Sequence, residues 1–203
     1  MTVRRLADEQ PASFDFTPEN RAWCDAQIAK YPPGRQASAV IPLLWKAQAQ
    51  HDYWLPKPAI EKVAEILDMP YIRVLEIATF YSMFNLAPVG KHFIQLCGTT
   101  PCMLRGSEDV LRACKDAGGL KGVGDTSADG LFTLTEVECL GACVNAPILQ
   151  IDDDYYEDLD YESAVKLLEA FKRGERPKPG SAIGRQASAP AGEQTVLTGR
   201  GEG

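Results

Sequence analysis

Apolar residues recur at helical spacing along the first part of the chain and at strand spacing further on, and this change of period divides the chain. The first helix signal is Thr17-Pro18-Glu19. A hydroxyl there can cap free N–H groups, a proline suits the first helical position, and a carboxylate complements the positive end of the dipole. That helix should stop before Tyr31-Pro32-Pro33-Gly34. A second reads from Ser38 to Gln50, with Pro42 near its first turn. A third follows Pro58, where Ile60, Val63, Ala64, Ile66 and Leu67 share a face, and Asp68-Met69-Pro70 ends it. A fourth begins at Pro70 with Val74, Ile77, Ala78 and Tyr81 together. Residues 17–87 thus read as a helical domain with short connections, preceded by a flexible arm over 1–16 that carries no periodic pattern.

The period switches at Asn85-Leu86-Ala87-Pro88-Val89-Gly90. Residues 91–96 read as a strand, and Cys97-Gly98-Thr99-Thr100-Pro101-Cys102 as the loop leaving it. Ser107 can cap a helix whose apolar face is Val110, Ala113, Cys114 and Ala117, and Gly118-Gly119 ends it. Alternation over 131–137 predicts a second strand, with Leu131, Thr133, Thr135 and Val137 on one face and Phe132, Leu134 and Glu136 on the other. A loop holding Cys139-Leu140-Gly141-Ala142-Cys143 follows, then strands over 147–151 and from Asp154. A last helix over about 160–172 presents Tyr161, Ala164, Val165, Leu168 and Phe171. The order β-α-β-β-α over 88–173, after a helical bundle, makes the chain α+β, with an α crossover between its first two strands. The last 30 residues hold seven glycines and three prolines, so 174–203 is expected to be a flexible tail, free to order against a partner.

Charge narrows the function. The 203 residues carry a net charge of −7, which is the wrong sign for gripping a polyanion, so nucleic-acid binding is not expected. The longest apolar run, 39–45, contains Pro42 and is far short of the roughly 20 residues a membrane span needs. The first residues have Arg4 and Arg5 but no apolar stretch before Asp8 and Glu9, unlike a secretory signal. The chain therefore reads as one that works in a reducing compartment, where paired cysteines more often bind metal or do redox work than form disulfides.

Four of the six cysteines fall into two close pairs, Cys97 with Cys102 and Cys139 with Cys143. Thiolates gathered four at a time select zinc, Cu(I) or iron–sulfur centres, and these spacings fit zinc as well as iron. Nearby Gly98 and Gly141 let backbone curl around a cluster and aim N–H groups at its sulfurs. No Cys-x-x-Cys is present, which disfavours dithiol exchange. Cys114 sits on an apolar helix face and Cys24 is spaced with Ile28, so both read as core residues. His51 and His92 lie away from the cysteine pairs. Asp152-Asp153-Asp154 lacks the calcium-loop pattern and reads as a solvated turn. Trp23, Trp45, Trp54, Tyr53 and Phe80 read as helix-packing anchors or subunit contacts. No Gly-rich dinucleotide loop follows a strand.

The segments Cys97-Gly98-Thr99-Thr100-Pro101-Cys102 and Glu138-Cys139-Leu140-Gly141-Ala142-Cys143-Val144-Asn145-Ala146-Pro147 closely resemble the thioredoxin-like [2Fe–2S] ferredoxin family. Ala78-Thr79-Phe80-Tyr81-Ser82-Met83-Phe84 and the helical N-terminal part add to the likeness, which runs over about residues 17–172. Within the family the pattern is that of the members serving NADH:quinone oxidoreductase, respiratory complex I. The resemblance implies a thioredoxin-like domain in which Cys97, Cys102, Cys139 and Cys143 ligate one [2Fe–2S] cluster, with one pair on each iron. It implies an electron-transfer subunit of the NADH dehydrogenase module, with no catalytic residue and no complete active site of its own. FMN and NADH are expected on a flavin-bearing partner subunit that the helical domain packs against, with an iron–sulfur subunit as a further neighbour. The expected location is a peripheral arm on the cytoplasmic side of a bacterial inner membrane, or the matrix side of the mitochondrial one. The equivalent subunits of NAD-linked hydrogenases and formate dehydrogenases are the nearest alternative. A zinc-stabilised interaction module and a stand-alone ferredoxin are the others.

Residues 129–160 hold nine carboxylates and no Lys or Arg. Reducing a centre of thiolates and sulfides adds negative charge, which this acidic stretch opposes, subject to solvent screening. A low midpoint potential follows. Redox titration should place it below zero, and a clearly positive midpoint would contradict the charge reading.

Overall fold

The computed structural model describes residues 5–192. The chain divides into two compact units between Val89 and Gly90. The first contains four helices: α1 (Pro18–Ile28), α2 (Val40–Gln50), α3 (Lys57–Leu67) and α4 (Tyr71–Phe80), with a 3₁₀ turn at Gln36–Ala39 leading into α2. Thr17 caps α1 by accepting the Asn20 N–H at 3.2 Å, and Pro18 opens it. Asp68 in the left-handed region closes α3. The buried faces meet in one core that includes Leu43, Leu44, Leu55, Ile60, Val63, Leu67, Val74 and Phe84. Gln48, buried in this core, has both ends of its amide satisfied. It donates to the Met83 carbonyl at 3.1 Å and accepts the Asn85 N–H at 2.7 Å.

The N-terminal arm differs from expectation. Phe16 is buried, and Leu6 and Phe14 pack against the helical core. Ala7 N–H donates to the Leu86 carbonyl at 2.9 Å, and Gln10 accepts the Lys57 N–H at 2.6 Å. Three isolated apolar residues make no periodic pattern, so the sequence offered no helix or strand there, yet each fills a gap in a core built by others. Residues 1–4 lie outside the described residues.

The second unit is a five-stranded sheet with helices. Its elements are β1 (His92–Cys97), α5 (Thr100–Leu104), α6 (Ser107–Gly118), β2 (Phe132–Val137), β3 (Leu149–Ile151), β4 (Asp154–Glu157), α7 (Tyr161–Lys172) and β5 (Gly180–Ser181). The strand order is β2-β1-β3-β4-β5. β1 pairs parallel with β2 and antiparallel with β3, β3 pairs antiparallel with β4, and β4 parallel with β5. Ile94, Leu96, Phe132, Leu134, Leu149 and Ile151 pack with Val110, Ala113 and Cys114 of α6 and with Leu168 and Phe171 of α7. Asp160 and Ser163 form a reciprocal capping box that starts α7, and Gly119 at φ 68° ends α6.

Four local readings change. Ser107 is the first residue of α6 and makes no cap bond; Gly106, at φ 102°, occupies the cap position. Cys102 lies in the short helix α5, where a plain loop was expected. Thr133, placed by alternation on the face opposite Phe132 and Leu134, is buried all the same because residues 124–127 run along the outer edge of β2. Its hydroxyl accepts the Gly90 N–H at 2.6 Å and meets the Thr126 hydroxyl at 2.7 Å. Asp152 is no solvated turn residue, since its carboxylate takes the Phe93 N–H and the His92 ring, both at 2.9 Å.

The largest difference is at the C-terminal end. Packed structure continues past Arg173: Tyr156 donates to the Pro177 carbonyl at 3.2 Å, β5 extends the sheet, and Arg185 reaches Asp158. This segment orders through backbone pairing and the ion pairs of Arg176 with Asp154 and Arg185 with Asp158, so a count of its apolar side chains could not anticipate it. Residues 193–203 of the expected tail lie outside the described residues.

Ile94 sits fully buried in β1 between two neighbouring strands. Ile94→Ala should destabilise the fold by about 2–5 kcal/mol through lost burial and the cavity left behind. Glu76→Ala, in an exposed ion pair with Arg73, should change it by less than about 0.5 kcal/mol. Chemical denaturation followed by circular dichroism measures both.

Candidate metal centre

The cysteine loops come together because of strand register. In the parallel pair β1–β2, Cys97 is the partner of Val137, so both strands run out at the same end of the sheet. Beyond β1 the chain turns at Gly98. A side chain at that position would collide with the Glu136 carboxylate of the neighbouring strand. Thr99 then leads into α5, with Pro101 in its first turn, and Cys102 faces inward, fully buried. Beyond β2 the chain passes Glu138 and the exposed Cys139, and reverses at Gly141, whose φ of 84° favours a residue without Cβ. It re-enters through a 3₁₀ turn at Cys143–Asn145.

Several contacts fix the second loop against the first. Tyr155 on β4 donates to the Leu140 carbonyl at 2.9 Å. Leu140, Ala142 and Tyr155 pack on a small cluster formed by Cys97, Cys102, Ala146 and Ile148. The Leu140 backbone hydrogen-bonds to the Cys97 sulfur and the Ile148 backbone to the Cys102 sulfur, so each loop supports the other. Within loops, Cys139 and Cys143 sulfurs are 3.4 Å apart, Gly141 N–H donates to Cys139 Sγ at 3.3 Å, and the Thr99 hydroxyl is 3.3 Å from Cys97 Sγ.

The free thiols are unequal. Burial pushes the Cys97 thiol up, but hydrogen bonds from the Thr99 side chain and from backbone N–H groups outweigh it, so its pKa falls below the ordinary value. Cys102 is pushed up to about 12, first by burial and then by the neighbouring Cys97. Cys143 is raised by its hydrogen bond to Cys139, by burial, and by the nearby negative charge of Cys139 and Cys97. Burial and local hydrogen bonds dominate at Cys97 and Cys102, and neighbouring sulfur adds to the rise at Cys102 and Cys143. A metal centre offsets that rise, because cationic iron stabilises every thiolate at once.

The donor set fits a binuclear sulfur-ligated cluster. Cys139 and Cys143 sulfurs lie 3.4 Å apart and Cys102 interacts with Cys97, so the thiols come as two close pairs, a donor set suited to two irons. Among the described residues no three His, Cys, Asp or Glu side chains form a ligand group for a single ion. The other candidates have partners of their own. Cys24 and Cys114 are buried in the two cores, and burial raises them to about 11 and about 12. His92 pairs with Asp152, and His51 stacks edge-on with Trp54.

Part of the acidic stretch is neutralised from outside it. Arg176 lies 3.1 Å from Asp154 and 3.9 Å from Asp152, and Arg185 binds Asp158. The charge opposing reduction is therefore smaller than the count of carboxylates implies. The sequence reading also missed the residues that hold the second loop, Tyr155 and Asn145. An asparagine two residues after a ligand-type cysteine is a signal the sequence carries, whereas its burial and the bond from Tyr155 depend on strand order.

Comparison with known proteins agrees with this geometry. The family model for thioredoxin-like [2Fe–2S] ferredoxins matches residues 24–172. An NADH-quinone oxidoreductase E subunit of Rhizobium meliloti is 50% identical over 202 residues, covering 97% of this chain and 73% of that protein. The corresponding E subunit of Rickettsia felis is 54% identical over 159 residues, covering 78% of this chain and 95% of that protein. An NAD⁺-reducing [NiFe]-hydrogenase structure in the H₂-reduced state superposes with a TM-score of 0.55 at 20% identity, over 65% of this chain and 22% of its own, a likeness of fold. On the paired cysteines, the sheet that carries them and the match over most of its length, the chain belongs to the thioredoxin-like [2Fe–2S] ferredoxin family.

Proposed function

We propose that this chain is an electron-transfer component of the NADH dehydrogenase module of NADH:quinone oxidoreductase. The observation that carries the reading is 50% identity to the Rhizobium meliloti protein over 97% of the chain. The likeness to the hydrogenase, at 20% identity, speaks for the fold and does not favour that complex. In this reading Cys97 and Cys102 bind one iron, and Cys139 and Cys143 the other. A [2Fe–2S] cluster held there supplies one-electron exchange.

The residues around the site have separable tasks. The Gly141 and Leu140 N–H groups and the Thr99 hydroxyl direct positive dipole ends at sulfur, which stabilises thiolate and tunes the potential. Cys97 and Cys102 are shut away from water, whereas Cys139 is exposed, so the second pair is the side from which an electron enters or leaves. Exposed apolar side chains follow each pair in sequence: Leu104, two residues after Cys102, is 76% exposed and Val144, next to Cys143, 63%. Exposed apolar groups next to a redox centre support a permanent neighbour. Its expected identity is the subunit carrying FMN and NADH, because this chain has no nucleotide loop, and an iron–sulfur subunit adjoins the same module. Phe80, 79% exposed at the end of α4, supports a further contact on the helical unit. No helix among the described residues is long and apolar enough to cross a membrane, which supports a place in the peripheral arm of the complex.

Ligand substitution tests the reading. Cys139→Ser should abolish or severely reduce bound iron and acid-labile sulfide and remove the EPR signal of the reduced chain. Cys114→Ala should leave all three unchanged, because that thiol is core. Retained iron in the first variant together with loss in the second would overturn the assignment, and a colourless wild-type chain loaded with zinc would point to the interaction-module alternative.

A further inference from the structure

We propose that the segment following α7, residues 180–189, is a strap that positions the Cys139–Cys143 loop, and that Arg185 is its positioning residue. This inference rests on the ligand assignment above. The strap lies beyond the family match, which ends at Lys172.

Backbone pairing of β5 with β4 and the Ala182 N–H donated to the Glu157 carbonyl at 2.9 Å seat the start of the strap, and side chains bind it at two further points. Arg185 makes a two-pronged bond to Asp158, Nη2 to Oδ1 at 2.7 Å and Nε to Oδ2 at 3.0 Å, with the two side chains 7% and 2% exposed. Ser181 Oγ donates to the same carboxylate at 2.6 Å and accepts the Arg185 N–H at 3.2 Å. The remaining prong, Nη1, donates to the Ala189 carbonyl at 3.1 Å, which folds the strap on itself. The second point is Asn145. Its buried amide donates to the Ala187 carbonyl at 2.8 Å and to Glu157 at 2.6 Å. Ala187 holds φ at 47°, a conformation alanine adopts only when its surroundings impose it.

These points lead directly to the cysteine loop. Asp158 N–H donates to the Asn145 carbonyl at 2.7 Å, and Asn145 N–H closes the turn onto Ala142 at 2.9 Å. Asn145 follows Cys143 by two residues. The sheet supports Cys97 through β1, but Cys143 lies in an irregular turn whose fixed neighbours on this side are Asn145 and, through it, Asp158 and the strap. A buried carboxylate needs a paired cation, so loss of Arg185 loosens Asp158, whose backbone N–H holds the Asn145 carbonyl. Groups that orient ligands from behind typically alter metal affinity by about 10–100-fold.

The test uses the full chain with three changes: Arg185→Ala, Arg185→Lys, and termination after Pro179. Hydrogen exchange is read at the Asn145, Ala146 and Asp158 amides, with Ile94 and Ala113 as core references. Iron release to a chelator and the EPR g-values of the reduced chain are read in parallel. Arg185→Ala and the shortened chain should exchange about 10–100-fold faster at the three loop amides, the factor that corresponds to losing a charge-assisted bond. The core amides should be unchanged, iron release faster by a similar factor, and the g-values shifted. Arg185→Lys, which keeps the charge but not the fork, should fall between. Loop exchange equal to wild type, or rising only in step with the core amides, would overturn the strap. Should wild type hold no iron, the ligand assignment fails, and the amide comparison in the metal-free chain still decides whether the strap positions the loop.

Discussion

The parallel pairing of β1 with β2 is the constraint on which the site depends. It places Cys97 opposite Val137, so two loops far apart in sequence leave the sheet at one end and at one level. An antiparallel pairing of the same two strands would send the loops to opposite ends, and no adjustment of loop sequence could bring the sulfurs together. Parallel strands need a long crossover, and α5 and α6 provide it while burying the apolar face that includes Cys114. The element that makes the topology possible thus also carries Cys102 in its first short helix.

Local chemistry then distinguishes the two pairs. The first is built into the sheet and closed off by Ile148 and Ala146, so its thiols feel desolvation, which disfavours charge unless a cation or hydrogen-bond donors compensate. Thr99 and the Leu140 backbone compensate at Cys97, whereas at Cys102 the Ile148 backbone bond does not outweigh burial and the neighbouring Cys97. The second pair is open to solvent and lies in irregular backbone. One half of the site is therefore rigid and dry and the other accessible and in need of support. That asymmetry suits a centre buried deeply enough to hold its metal and exposed enough to exchange electrons with a neighbour.

Much of this was legible in the sequence. Helical period in the first unit, Thr17 and Pro18 at a helix start and the double glycine ending α6 each reflect a local rule that tertiary structure respected. What escaped was decided by distance in space. Thr133 is buried by residues 124–127 and Phe16 by helices downstream, and Asp152 is held by His92 and Phe93; none of these partners is a sequence neighbour in the sense that periodicity detects. The segment after α7 is the clearest case. Its Gly and Pro content correctly predicted little apolar burial, but one arginine meeting a buried aspartate and two residues of strand pairing anchor it. The same arginines revise the electrostatics, because Arg176 and Arg185 reach carboxylates that a window along the chain counts as uncompensated.

The central claim is that the two cysteine pairs close around two irons. Iron-edge X-ray absorption of the loaded full-length chain tests it most directly. The account predicts four sulfur neighbours around each iron, together with a strong iron–iron scattering path. Nitrogen or oxygen neighbours in place of sulfur, or an iron spectrum without a second iron, would contradict it.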